Sequence, residues 1–356
     1  MVPGPEIKVP SHFSTNTKTT TTAARIKRFG AKKAVKPLPG TANYVSNPRP
    51  PKGHLRPSTL GELPISINSN KDPRFVLYGD LYFQDDTFGV PPVNKVKGFT
   101  HYNVAFWMAT SGPADNALAW TQATDEQRKK IKKAYNDAGI KLMVSAFGAT
   151  DTPQTGAGLG NATKTANRLA DFVRKYNFDG VDVDYEEMDH FAQGKSVPWL
   201  VTLTKQLRRR LPRDQGYLLT HAPIAPWFSK QIYKDGGYTE VHKQAGEDVD
   251  FYNVQFYNQG KDAYTSCDGL IWEGPKEWPS TSLFELAKYS HIPLDKLVIG
   301  KPALPTDAAN GYVSKHDLGK CAQEAEKEGW KAGLMWWEYS KSFSAEQLKR
   351  VLFHWS

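Results

Sequence analysis

Phe178-Asp179-Gly180-Val181-Asp182-Val183-Asp184-Tyr185-Glu186-Glu187 is the stretch on which the fold of this 356-residue chain turns. Val, Phe and Tyr favour a pleated strand and Asp does not, so acids recurring at fixed steps within one need a reason. Residues two apart on a strand share a face. Asp182, Asp184 and Glu186 therefore line one side. Three carboxyl groups in a row on a buried strand repel one another, which raises at least one pKa and keeps a proton available near neutrality. A carboxylic acid still protonated at working pH can serve as a general acid. A metal site and a solvated acidic edge strand are the competing explanations of the same pattern.

Ten Trp, sixteen Tyr and seventeen Phe within a 39% hydrophobic composition suffice for a sizeable core. No run of about 18 apolar residues occurs, so no membrane span is expected. The net charge of +9 misleads as a whole-chain figure. Residues 1–70 hold eleven Lys and Arg against two Glu, which leaves 35 basic and 35 acidic residues in the remainder. The basic character belongs to that leader, and no nucleic-acid partner is expected for the folded part. The tract Thr19-Thr20-Thr21-Thr22 and the run Pro48-Arg49-Pro50-Pro51 point to disorder across 1–70. A secretory signal needs an apolar core of about 7–15 residues after a basic start, and none is visible. Transit-peptide composition, a polyanion-binding patch and a plain solvated tail all remain open for Ala23–Lys36. A cytoplasmic location is therefore slightly favoured over export. Cys267 and Cys321 lie far apart; they can pair if the fold brings them together, without constituting a disulfide framework.

From residue 74 onward, apolar strand-like runs alternate with helical patterns. The strands begin near Arg74, Gly98, Ile140, Phe178, Tyr217, Val249, Leu297 and Gly333. Between them, the periodicity predicts helices over Thr121–Gly139, after an Asn161 cap, and over Pro198–Leu211, Leu283–Tyr289 and Lys315–Glu328, with Ala345–Phe353 closing the chain. Eight strands interleaved with helices over roughly 280 residues have the rhythm of a (β/α)8 TIM barrel at 71–356. A doubly wound sheet is the alternative, but no Gly-rich dinucleotide fingerprint follows the first strand.

In such a barrel the C-terminal strand ends form the active face. Asp184 and Glu186 end the fourth strand, Gln255, Tyr257 and Asn258 the sixth, and Trp336, Trp337 and Glu338 the eighth. An aromatic floor with convergent acids suits a sugar ring, whose C–H face stacks while its hydroxyls take hydrogen bonds. At most one of the adjacent Trp336 and Trp337 can face the axis, and the choice of Trp337 leans on the family resemblance given below. His101, His190 and His221 lack ligand spacing, so neither metal nor cofactor is expected. Asn161-Ala162-Thr163 is a glycosylation sequon, taken as a chance match in the absence of an export signal.

Asp179-Gly180-Val181-Asp182-Val183-Asp184-Tyr185-Glu186 resembles the D-G-x-D-x-D-x-E signature of glycoside hydrolase family 18. Val254-Gln255-Phe256-Tyr257-Asn258 and Gly333-Leu334-Met335-Trp336-Trp337 resemble the sixth and eighth strands of its class III, hevamine-like chitinases of plants and fungi. The likeness spans about 75–340 in the correct order. It implies retaining hydrolysis of β-1,4-linked N-acetylglucosamine glycosides by substrate-assisted catalysis. On that resemblance Glu186 is the general acid, Asp184 holds the acetamido N–H and shares a proton with Asp182, and Tyr257 orients the acetamido oxygen. Trp337, Gln255, Asn258, Tyr78, Phe106 and Ala222 are the substrate-binding expectations. Asp179 and Gly180 are structural members of the motif. Chitin or a chitooligosaccharide is the expected partner of a monomeric enzyme. An endo-β-N-acetylglucosaminidase acting on the N-glycan core is the alternative, and a non-catalytic lectin comes third. One position departs from the family: Phe147 stands where the third strand carries Gly in S-x-G-G, which predicts a reshaped pocket floor.

Overall fold

A computed structural model of the chain describes residues 73–83 and 85–340. The basic leader expected over 1–70 and the closing helix expected from Ala345 lie outside the described residues.

Eight parallel strands form the centre: β1 (Arg74–Gly79), β2 (His101–Met108), β3 (Lys141–Phe147), β4 (Gly180–Asp184), β5 (Leu218–His221), β6 (Phe251–Gln255), β7 (Leu297–Pro302) and β8 (Gly333–Trp337). Consecutive strands pair, and β1 pairs with both β2 and β8, setting Val76 opposite His101 and Arg74 opposite Gly333. The sheet thus closes into a (β/α)8 barrel, which rules out the doubly wound alternative. Runs such as Phe75-Val76-Leu77-Tyr78 and Leu297-Val298-Ile299 are buried throughout, as strands covered on both faces require. A two-residue antiparallel strand, Gly112–Pro113, folds back on the end of β2 and had no signal in the sequence pattern.

Seven helices of seven or more residues are described: α1 (Asp115–Thr121), α2 (Asp125–Asp137), α3 (Ala162–Lys175), α4 (Ser196–Arg210), α5 (Gly237–Ala245), α6 (Leu283–Ser290) and α7 (Lys315–Lys327). The helix expected between Thr121 and Gly139, with Asp125 and Glu126 opening it, runs from Asp125 to Asp137. Thr124 and Gln127 satisfy each other's backbone N–H groups there, with Gln127 Oε1 accepting at 2.8 Å and Thr124 Oγ1 at 3.2 Å, a reciprocal cap that fixes the boundary. Asn161 opens α3 by accepting from the Lys164 N–H at 2.9 Å. The buried face of α3 is Ala166, Leu169, Ala170 and Val173, at helical spacing. Burying each of its larger side chains contributes roughly 1.5–3 kcal/mol.

Cys267 and Cys321 form a disulfide that ties the segment after β6 to α7. Among the described residues no helix is long and apolar enough to cross a membrane.

Candidate active site

The motif's first acid sits away from the mouth. Asp179 immediately precedes β4, where its Oδ2 accepts from the Leu142 N–H at 2.7 Å and its Oδ1 meets Lys132 Nζ of α2 at 2.5 Å. Gly180 follows at a point of backbone contact. A Cβ there would lie 2.1 Å from the Leu218 carbonyl oxygen, so a side chain would push β4 off β5. These two residues set where β4 lies in the barrel wall.

Asp182 is wholly buried on the barrel axis and accepts from four donors on four other strands. Tyr78 of β1 and Ser145 of β3 donate to Oδ2 at 2.7 and 2.9 Å. Thr220 of β5 and Asn253 of β6 donate to Oδ1 at 2.6 and 3.1 Å. Burial pushes the Asp182 pKa up, and the four hydrogen bonds pull it back in part. The sequence pattern suggested repulsion among acids as the cause of such a shift; desolvation is the larger one. Tyr78, expected to bind substrate, is itself buried, with its hydroxyl committed to Asp182 and taking a further bond from Asn253 Nδ2 at 3.2 Å.

Asp184 lies one pleat nearer the mouth. Gln255 Nε2 donates one hydrogen to Asp184 Oδ1 at 2.8 Å and the other to the Ala222 carbonyl at 2.7 Å. Both amide hydrogens are therefore occupied. Gln255 thereby orients Asp184, and the Ala222 carbonyl holds the other hydrogen of the same amide. Glu186 and Tyr257 are buried at the same end, 6% and 2% exposed. Asn258 has φ 65° and accepts from the Ala309 N–H at 2.8 Å, binding the loop after β7 to the loop after β6.

The adjacent tryptophans divide between the two faces of β8. Trp336 packs outward on Phe75 and Phe99, with ring centroids 6.4 and 5.9 Å away. Trp337 is partly exposed at the mouth, stacked on Phe106 at 5.8 Å and 27° and tilted on Tyr78 at 5.8 Å. Phe147 corrects the expectation of a reshaped pocket floor. At φ 83° its ring turns away from the axis and lies between Trp107 and Trp199, 6.2 and 6.0 Å from them. His101 and His221 are buried and pushed down to about 3 by desolvation, so they stand neutral near pH 7. His221 packs between Thr204 and the Tyr238 hydroxyl.

The model of glycosyl hydrolases family 18 matches residues 74–351, the span that carries this constellation. The chain belongs to glycosyl hydrolases family 18. It is 28% identical over 228 residues to a chitinase of Enterococcus faecalis, a match covering 60% of this chain and 63% of that protein. To the basic endochitinase of Nicotiana tabacum it is 27% identical over 208 residues, 54% of this chain and 60% of the tobacco protein. The chain thus spans less than two thirds of these relatives' own length. Among solved structures, a GH18 chitinase from Pseudoalteromonas aurantia aligns with TM-score 0.64 at 24% identity, covering 79% of this chain and 99% of that one. A xylanase and α-amylase inhibitor protein from Scadoxus multiflorus aligns over 80% of this chain and 99% of its own, with TM-score 0.53 and 18% identity. At such identities the likeness is one of fold alone.

In this family 18 barrel three further carboxylates fasten the mouth, and of these the sequence pattern had set only Glu338 at an active strand end. Each grips consecutive backbone N–H groups of a neighbouring loop. Glu187 takes those of Gln154 and Thr155 at 2.5 and 3.2 Å. Asp151 takes those of Ala109 and Thr110 at 2.6 and 3.3 Å. Glu338, next to Trp337, takes those of Asp80 and Leu81, both at 3.1 Å. Burial and the nearby Asp80 push Glu338 up to about 8, against the pull of its two backbone bonds. Lys301 of β7 does the converse, its buried ammonium donating to the carbonyls of Phe256, Tyr264 and Gly311 at 2.7, 2.6 and 3.0 Å. Such residues are single acids or bases joined to main chain far away in sequence, so no periodicity marks them.

Proposed function

We propose that the chain hydrolyses β-1,4-linked N-acetylglucosamine glycosides, chitin or its oligosaccharides, with retention of configuration. The observation that carries this is the acid series of β4, in which Asp184 is held by Gln255 at the barrel mouth and Glu186 follows two residues on, with Trp337 at the end of β8 stacked on Phe106. The Enterococcus relative, a chitinase, and the tobacco relative, a basic endochitinase, support the same substrate class.

Glu186 protonates the glycosidic oxygen, and the substrate's own acetamido carbonyl attacks the anomeric carbon, giving an oxazolinium ion that water opens. Asp184 accepts the acetamido N–H and stabilises the developing positive charge. Asp182, one pleat deeper, forms with it a single coupled titrating unit. Tyr257 orients the acetamido oxygen, and Trp337 stacks beneath the reacting ring. A sugar lacking the 2-acetamido group lacks the internal nucleophile and is not a substrate. The Cys267–Cys321 disulfide supports maturation in an oxidising compartment, in place of the cytoplasmic location that the leader favoured.

The test is incubation of the purified full chain with chitohexaose and, in parallel, with a high-mannose glycopeptide, products being identified by mass. Cleavage of chitohexaose with β-anomeric products is the expected result. Release of the glycan with chitohexaose intact would assign the protein to the N-glycan core instead. No cleavage of either would overturn the hydrolase.

A further inference from the structure

Glu186 is flanked on both sides by residues anchored to one loop. Tyr185, buried, donates its hydroxyl to Gln154 Oε1 at 3.0 Å and shares a hydrogen bond with Ser196 Oγ at 2.7 Å. Glu187, 8% exposed, receives the Gln154 N–H at 2.5 Å, the Thr155 N–H at 3.2 Å and the Thr155 hydroxyl at 2.6 Å. The same loop is held from behind, where Gln154 Nε2 donates to the Lys195 carbonyl at 2.9 Å. Its other end is fixed by Asp151, which receives the Ala109 and Thr110 N–H groups and the Thr110 hydroxyl. A buried carboxylate satisfied by three donors keeps its place, because losing them would leave a desolvated charge unpaired.

We propose that Glu187 is a positioning residue for Glu186, fixing the main chain of the proton donor by clamping it to the Gln154–Thr155 loop. β4 is described only as far as Asp184, so Glu186 lies beyond the last regular strand pairing. Strand pairing therefore does not hold the peptide that carries the acid. The two anchors on its flanks replace it, one neutral through Tyr185 and one charged through Glu187. Proton transfer to a glycosidic oxygen needs the donor within hydrogen-bond reach of that atom. Displacement of a donor by about 1 Å costs on the order of 100-fold in rate. The inference rests on the hydrolase function proposed above.

Leaving-group chemistry separates this role from a merely structural one. A sugar leaving group must be protonated as it departs, whereas a 2,4-dinitrophenolate is stable enough to leave without an acid. Glu187→Ala should lower kcat on chitooligosaccharides by about 10- to 100-fold. The same variant should keep kcat/KM for the 2,4-dinitrophenyl glycoside of N,N′-diacetylchitobiose within about threefold of wild type, since that constant reports departure of the phenolate, which needs no general acid, and not the later water attack in which Glu186 acts as base. Glu187→Gln, whose amide oxygen still accepts the two backbone N–H groups, should recover most of the lost rate. Equal losses on both substrates, or no loss on the oligosaccharide, would overturn the positioning role and leave the hydrolase standing. A wild-type protein inert towards both substrates would overturn the hydrolase itself, and the positioning role with it.

Discussion

Replacing Glu338 by Gln should change how the stability of the barrel depends on pH. The carboxyl lies at the end of β8, 8% exposed, with Oε2 on the N–H groups of Asp80 and Leu81. Desolvation is the largest cause of its raised pKa, followed by Asp80, with Asp307 adding to it. Its pKa of about 8 compares with 4.5 for an ordinary glutamate. Between these values the folded state holds a proton that the unfolded state has released, so stability falls as pH rises through that window. At about 1.4 kcal/mol per pH unit, the whole interval is worth about 5 kcal/mol as a ceiling. Relaxation and water penetration reduce such figures, and about 2–5 kcal/mol is the expected loss. Glu338→Gln cannot ionise and keeps an acceptor for both N–H groups. Urea unfolding of the two proteins at pH 4, 6 and 9 should therefore give curves whose difference grows with pH in favour of the variant and levels off above about pH 8. Parallel pH dependences would show that Glu338 does not release its proton on unfolding in this range.

At the acid itself, Glu186→Gln should retain the fold and lower chitooligosaccharide hydrolysis by at least about 100-fold, with Asp184→Asn comparably damaging; product release and far-UV circular dichroism check both. Asp179→Ala strips the acceptor from the Leu142 N–H and leaves Lys132 without its carboxylate, so a stability loss of about 1–3 kcal/mol with largely retained turnover should appear in denaturant titration beside an activity assay. Gly180→Ala introduces a Cβ 2.1 Å from the Leu218 carbonyl oxygen and should cost about 3 kcal/mol by the same titration.

Periodicity made the barrel legible, because each of the eight strands is a short apolar run and several helix starts carry a side-chain cap, as at Thr124, Asn161 and Ser314. It also placed the acids of β4 on a shared face. What it could not supply is which groups meet across the barrel. The donors to Asp182 come from Tyr78, Ser145, Thr220 and Asn253, residues as far apart in the chain as β1 and β6, and none stands out locally. Tyr78 accordingly carried a substrate-binding expectation while the structure commits its hydroxyl to the interior. Phe147 failed for a different reason: residue type at an aligned position says nothing of direction, and a positive φ turns the ring out among Trp107 and Trp199. The anchoring roles of Glu187, Asp151 and Glu338 were invisible because their partners are main-chain groups, which every sequence provides.

That last property has an evolutionary consequence. A carboxylate that holds a loop by its peptide N–H groups places almost no demand on the loop's side chains, proline excepted at the gripped positions. Gln154, Thr155 and Thr110 also hold by their side chains, whereas Ala109, Asp80 and Leu81 are gripped by their N–H groups and can each be exchanged without undoing the fastening that Asp151 and Glu338 provide. The rim of the barrel is thereby free to diversify while its frame stays put. Libraries built at those loop positions should yield altered ligand preference far more often than unfolded protein, and the three acids are the positions to leave untouched.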